Sequence, residues 1–180
     1  DGDIKKTKIK SYMIRLSNSN KELQNIFRSI LKEKFNLNYG ITKGDKKRPE
    51  ATRTHSKLLG EIITALGIPE SPKSHRINLS DTLLHLNNNL LSEYIAGLYD
   101  ADGCVYVRKK TGSSCIDLTT CSEQLARQLQ LIFLRYSIHA RLRTKKTSKG
   151  IIKGNYDKWI LEIRGTEQIR KFNNNIKLKH

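Results

Sequence analysis

Residues Tyr94–Gly103 read YIAGLYDADG, an apolar run with Ala96 and Gly97 at its centre and two carboxylates, Asp100 and Asp102, at its end. Acids at the C-terminus of a helix oppose its macrodipole, at about 0.3–1 kcal/mol per charge. Gly97 inside a helix costs about another 0.8–1 kcal/mol relative to alanine. Two local rules broken within ten residues mark a place where function outweighs local stability. The small residues let another backbone come close, and the carboxylate oxygens suit a hard divalent cation. Spacing alone also describes an ordinary buried helix that ends in a solvated Asp-Ala-Asp-Gly turn.

The elements that must position these acids repeat along the chain with a period of about one hundred residues. Met13–Asn18 followed by Lys21-Glu22-Leu23 and Ile30-Leu31 lines up with Cys115–Thr120, then Glu123-Gln124-Leu125 and Ile132-Phe133. Each copy reads as an alternating strand, a small polar cap and an amphipathic helix, with Ser19 and Ser122 as the expected caps. Further strands follow at 38–43 with 50–55, and at 139–145 with 156–164, joined by the polar tips Gly44–Pro49 and Thr147–Gly154. Shorter helices are expected at 56–66 and 166–174. A helix over 90–100 precedes the second set, while Asp1-Gly2-Asp3-Ile4 overlays on Asp102-Gly103-Cys104-Val105 with the repeat's own offset. Gly67–Asn89 links the halves and, having no low complexity, reads as an ordered crossover.

The 180 residues carry 34 Lys+Arg against 17 Asp+Glu, a net charge of +17, with 37% hydrophobic residues. That composition is globular rather than disordered, and its sign predicts a polyanionic partner, nucleic acid before an acidic membrane surface. No run of eighteen apolar residues spans a bilayer, and the amino terminus is not a signal peptide. An intracellular location is expected. The three cysteines, Cys104, Cys115 and Cys121, form no CxxC and point to a reducing interior rather than disulfides or zinc.

The positive charge alternates along strands. Lys6, Lys8 and Lys10 are expected on one strand face, as are Arg141, Arg143 and Lys145, with Arg108 and Lys110 following the 90–100 helix. Arg15, Lys43, Arg53 and Lys158 on the remaining strands complete the set. Like charges side by side in a sheet are mutually destabilising, whereas a basic sheet face meets duplex DNA well, with Arg and Lys reading guanine edges and phosphates. Lys46, Lys47, Arg48, Lys149 and Lys153 on the tips would reach flanking phosphates. Trp159 has the opposite parity to Tyr156 and is expected in the core.

Ile95–Gly103 resembles the signature of the LAGLIDADG homing endonucleases, matching seven of nine letters with the Ala-Gly pair and the DADG ending at fixed spacing. The resemblance implies an α+β fold of two pseudo-symmetric αββαββα halves with antiparallel saddle-shaped sheets. Residues 1–89 would be the first half with its linker and 90–180 the second, with the first motif helix outside this segment and Asp1-Gly2 its tail. It implies a monomer that cleaves both strands of DNA at a long site. Asp1 and Asp102 would be the catalytic metal ligands, for Mg2+ or Mn2+, with Asp100 supporting the helix end. A lysine after the last helix of each half would assist; Lys73 and Lys179 occupy those positions, with Lys177 as fallback to Lys179. A polar residue at a strand end would hold water, from among Ser19, Cys121, Asn18 and Thr120. The GIPxxxKS element (Gly67–Ser74) resembles the link in endonuclease domains embedded in inteins, so a longer polypeptide with a splicing domain is expected. The alternative is a non-catalytic DNA- or RNA-binding protein of the same fold, an RNA maturase or a transcription regulator.

Overall fold

Alternation of apolar and polar residues shapes the first sheet. In Tyr12–Ser17, Tyr12 and Ile14 are buried and Arg15 is exposed, so one face of the strand meets helices and the other does not. The computed structural model describes residues 2–8, 10–109, 112–146 and 157–178, and the chain divides into two compact units, Asp1–Lys73 and Ser74–His180.

The first unit runs β1 (Gly2–Lys6), β2 (Tyr12–Ser17), α1 (Lys21–Glu33), β3 (Gly40–Thr42), β4 (Ala51–His55) and α2 (Lys57–Ala65). Its antiparallel sheet has the order β1-β2-β4-β3, with Gly2 opposite Leu16 and Leu16 opposite Thr52. Ile4, Tyr12, Ile14, Leu31 and Leu59 form the core, flanked by Phe27, Phe35, Leu37, Tyr39 and Ile63. The α1 cap is Asn20, not the expected Ser19: its side chain accepts from the N–H groups of Glu22 and Leu23. Asn serves at an N-cap as well as Ser, and Asn18 in turn accepts from the Asn20 N–H at 2.8 Å. Gln24, buried on α1, donates to the Glu50 carbonyl at 2.8 Å and accepts from the Thr52 hydroxyl at 2.7 Å, tying the helix to β4.

The second unit adds a short helix α3 (Asp81–Leu84) and the long α4 (Asn88–Asp102) before repeating the pattern as β5 (Gly103–Val107), β6 (Ser114–Thr120), α5 (Glu123–Leu134), β7 (Ala140–Lys145), β8 (Lys158–Arg164) and α6 (Thr166–Asn175). Its sheet order, β5-β6-β8-β7, is that of the first. The helix α4 extends two residues beyond the expected range at each end. Asn87 caps it by accepting from the Leu90 N–H. Ser122 caps α5 as expected. Leu91, Ile95, Ala96 and Tyr99 bury one side of α4, and Tyr99 meets Phe133 and Phe172 with ring centroids 6.0 and 5.0 Å apart. Trp159 lies on the helix side of β8, its ring under the Arg127 guanidinium.

The Gly67–Asn89 segment is anchored at both ends. The Ser71 N–H donates to the Ile4 carbonyl in the first unit, at 3.1 Å. In the second unit Leu79 exchanges two hydrogen bonds with the Gln128 amide, at 2.8 and 2.9 Å.

The Tyr99 hydroxyl is buried without a hydrogen-bond partner among the described residues, and burial raises its pKa. An orphaned hydroxyl costs desolvation that an apolar isostere avoids. Tyr99→Phe is therefore expected to leave the melting temperature unchanged or slightly higher; a clear fall in a thermal scan would show that the hydroxyl is engaged.

Candidate nucleic-acid interface and metal centre

The helix α4 delivers Asp102 to the protein surface as its last residue. The Gly103 N–H closes the helix on the Tyr99 carbonyl, and the chain passes straight into β5. Among the described residues Asp102 makes no ion pair, whereas the half-buried Asp100 is engaged. An exposed carboxylate without a cation in so basic a chain is a hard oxygen donor left available. Gly97 faces outward on the same helix, and a Cβ built there meets nothing within 4 Å.

Asp1 and Lys179, the expected partners in catalysis, lie outside the described residues, as do Lys110, Lys149, Lys153 and Tyr156. Lys73 is placed at the start of β1: its ammonium donates to the Gly2 carbonyl. The chain before it is held along β1 by Ser71 on Ile4 and by the Lys6 N–H donating to Glu70 at 3.1 Å. Lys73 also stands beside an apolar concavity of about 180 Å³ walled by Ile4, Ile14, Leu16 and Phe27. Lys177 donates instead to the Asn173 carbonyl of its own helix end, at 2.8 Å.

The three-lysine strand face expected at Lys6, Lys8 and Lys10 does not form. The strand β1 ends at Lys6, and a turn follows in which the Thr7 N–H donates to the Ser11 carbonyl and Lys10 takes a φ of 55°. Lys6 shares the parity of Ile4, on the helix side, with its ammonium over the Tyr12 ring. The lysine on the open face is Lys5, which has the parity of Asp3. Arg108 likewise sits just past β5, in the hairpin turn.

The open face of the first sheet otherwise gathers the expected cations. Arg15 lies directly opposite Arg53, and both border a cavity of about 410 Å³ with Lys43 and Arg48. Arg15 is paired with Asp3 through two hydrogen bonds, at 2.7 and 3.2 Å. On the second sheet Arg141, Arg143 and Lys145 are exposed along β7 while Leu142 is half-buried, as the alternation requires. Lys145 stands opposite Lys158. Like charges facing across strands are unfavourable, so both sheets hold a repulsion that a polyanion would relieve.

At the centre of the second sheet's open face lies a residue that the sequence reading passed over. Glu162, 1% exposed, forms ion pairs with Arg108, Arg143 and Arg164, the first at 3.3 Å. Its signal was available: Lys158, Ile160, Glu162 and Arg164 share one parity, opposite to Trp159, Leu161 and Ile163. Asp117 stands opposite Glu162 on β6, and oxygen or sulfur atoms of Cys115, Asp117 and Glu162 lie within 4.8 Å of one another. Three guanidiniums on Glu162 already neutralise this cluster, which disfavours a cation there. Tyr106 borders it, its hydroxyl pushed up to about 12 by a hydrogen bond with Cys115 and by burial.

Burial raises the Asp117 pKa, with the Glu162 charge adding and a Tyr106 hydrogen bond, Arg143 and Arg108 opposing. A raised value in the fold penalises the ionised form. Stability is therefore full below the carboxylate's ordinary value of 3.8 and declines as pH rises through the folded value. Asp117→Asn is expected to melt a few degrees above the wild type at pH 7, the two curves converging as the pH is lowered. A variant that melts lower at pH 7 would reverse the sign.

Residues 89–177 match the LAGLIDADG-like domain. The chain is 32% identical over 158 residues to the ATP-dependent DNA helicase Hel308 of Methanocaldococcus jannaschii, covering 84% of this chain and 12% of the helicase. It is 30% identical over 129 residues to the glutamine–fructose-6-phosphate aminotransferase of the same organism, covering 71% of this chain and 11% of that enzyme. The chain thus spans only 11–12% of the length of these curated relatives. Its fold is similar to that of the homing endonuclease I-DmoI, solved in complex with DNA and Mn, with a TM-score of 0.67 at 16% identity over 99% of this chain and 89% of that one. No helix among the described residues is long and apolar enough to cross a membrane.

Proposed function

We propose that this chain, whose residues 89–177 match the LAGLIDADG-like domain, is a site-specific double-strand DNA endonuclease that hydrolyses phosphodiester bonds with Mg2+ or Mn2+. The observation that carries this reading is the junction of α4 with β5. A helix with an open Gly97 face ends in the exposed Asp102, which makes no ion pair among the described residues, and enters a sheet whose other edge bears Arg141, Arg143 and Lys145. A pure nucleic-acid binder has no use for an unpaired carboxylate beside phosphates, whereas a metal-dependent nuclease needs one.

In this reading Asp102 and Asp1 would each supply a carboxylate to divalent metal. The metal, when bound, lowers the pKa of its water and neutralises charge on the phosphate. Lys73, poised at the Gly2 carbonyl, places a positive charge where negative charge develops in the transition state, and Lys179 does the same for the second half. Arg15, Lys43, Arg53, Arg141, Arg143, Lys145 and Lys158 line the sheets to contact bases and phosphates, with Lys8, Lys10 and Arg108 in the turns after β1 and β5 adding contacts, as would Lys6 and Lys110. The chain acts as a monomer, one half per half-site, inside the cell.

Most of this chain matches 12% of a helicase and 11% of an aminotransferase, two enzymes with no reaction in common. A segment shared by such proteins behaves as an insert, which supports an intein, a protein-splicing element within a longer polypeptide. The test is incubation of the full-length polypeptide with randomised duplex DNA and Mg2+. Cutting of both strands at one long site supports the proposal. Tight, specific binding without cutting would leave a non-catalytic DNA- or RNA-binding protein of the same fold.

A further inference from the structure

The two sheets carry opposite charge at equivalent positions. Gly2 faces Leu16 in the first sheet as Gly103 faces Leu118 in the second, and those leucines face Thr52 and Leu161. By that register the Arg15–Arg53 pair of the first sheet occupies the place of Asp117–Glu162 in the second. Where the first half presents arginines directly, the second buries a carboxylate and draws three arginines around it from three segments. Arg108 comes from the turn after β5, Arg143 from β7 and Arg164 from the end of β8.

These arginines are restrained yet not used up. The Glu162 side chain is fully buried, while those of Arg108, Arg143 and Arg164 remain 32%, 41% and 33% exposed. The Nε–H groups of Arg108 and Arg164 are buried without a partner among the described residues. A guanidinium held on one edge by a carboxylate keeps its remaining N–H fork fixed, and a fixed fork matches the O6 and N7 acceptors of guanine. Pre-ordering also removes the entropy that a free arginine side chain would lose on binding.

We infer that Glu162 is a positioning residue that holds Arg108, Arg143 and Arg164 as a rigid guanine-reading fan, so that the second half discriminates bases in its half-site more sharply than it grips phosphates. This rests on the double-strand DNA reading above. The first half, where among the described residues Arg15 is balanced by a partly exposed ion pair to Asp3, reads its half-site by a different rule.

The experiment is selection from randomised duplexes by the full chain and by Glu162→Gln, with binding measured across a salt series. The wild type is expected to select guanine at two or three base pairs in one half of its site. Glu162→Gln loses that preference by on the order of ten-fold per base pair and leaves the other half-site unchanged. Non-specific binding tightens and its salt slope steepens by about one, because one negative charge is gone and the guanidiniums are released to phosphates. Unchanged base preferences and salt slope in a variant that merely melts lower would overturn the inference, leaving Glu162 a structural ion-pair partner. A wild type that selects no duplex sequence overturns the DNA reading itself and the inference with it. Removal of one member of a buried ion pair can unfold a protein, so a second measurement uses the wild type alone. The Arg Nε–Hε resonances of the DNA-free chain are expected to show slow guanidinium rotation at Arg108, Arg143 and Arg164, and rapid averaging at all three would overturn the proposal.

Discussion

Asp102→Asn is expected to lower DNA cleavage at least about 10³-fold while leaving binding intact or slightly tighter. Metal-assisted hydrolysis draws several kcal/mol of stabilisation from the bound ion, and each 1.4 kcal/mol is ten-fold in rate. Asn keeps the size of Asp and one oxygen but not the charge that holds a divalent cation. The side chain is exposed and makes no ion pair among the described residues, so the fold loses nothing and the helix end loses an acid that opposed its dipole. Removing a negative charge beside phosphates favours association. The comparison is cleavage and mobility shift on the same duplex, with Asp100→Asn alongside. Asp100 is half-buried and already engaged within the protein, and its loss should read as lowered stability more than lowered turnover. Full cleavage by Asp102→Asn would remove Asp102 from the metal site; loss of both binding and cleavage would mean that the side chain supports the fold.

Gly60→Val is expected to destabilise the first unit by more than about 3 kcal/mol, lowering its melting transition by roughly 10–20 °C for a unit of this size. The helix α2 crosses β2 at this glycine so closely that a Cβ would fall on the Tyr12 ring. Tyr12 is itself 8% exposed and has no open side to turn towards. Its carbonyl accepts from the N–H of Ser56, the α2 cap, at 3.0 Å, so strand and helix cannot separate without breaking that hydrogen bond. Alanine at the same place would meet the same ring but recover about 1 kcal/mol of helix propensity, and should fall between the wild type and valine. Calorimetry of the three proteins checks the order. A valine variant that melts with the wild type would show that α2 does not lie on β2 at this point.

The acid-ended helix was legible because it breaks local rules: small residues and carboxylates at fixed spacing have few local reasons to coincide, and α4 does end at Asp102. The strand–helix order of both halves was legible from alternation and from the repeat, since apolar periodicity is written in the order of the residues. Ser122 could be read as a cap, whereas Asn20 was missed because two neighbouring residues, Ser19 and Asn20, satisfy the same chemistry. The basic faces were only partly readable. Arg141, Arg143 and Lys145 fall on one exposed face because β7 runs unbroken through all three. Lys6, Lys8 and Lys10 do not, because β1 stops at Lys6 and the period of two ends with the strand.

The sequence by itself determined the charge, the repeat, the fold class and the carboxylate at the end of α4, all of which depend on residue type and spacing along the chain. Only the tertiary structure decided which cations are free and which are held. That Glu162 gathers arginines 54, 19 and 2 residues away, that Lys73 reaches back to Gly2 across 71 residues, and that Gly60 must be glycine because Tyr12 lies against it are consequences of strand register and helix docking. Register and docking are set by how two apolar faces fit together, a condition that residues far apart in the chain satisfy jointly and that no local pattern records.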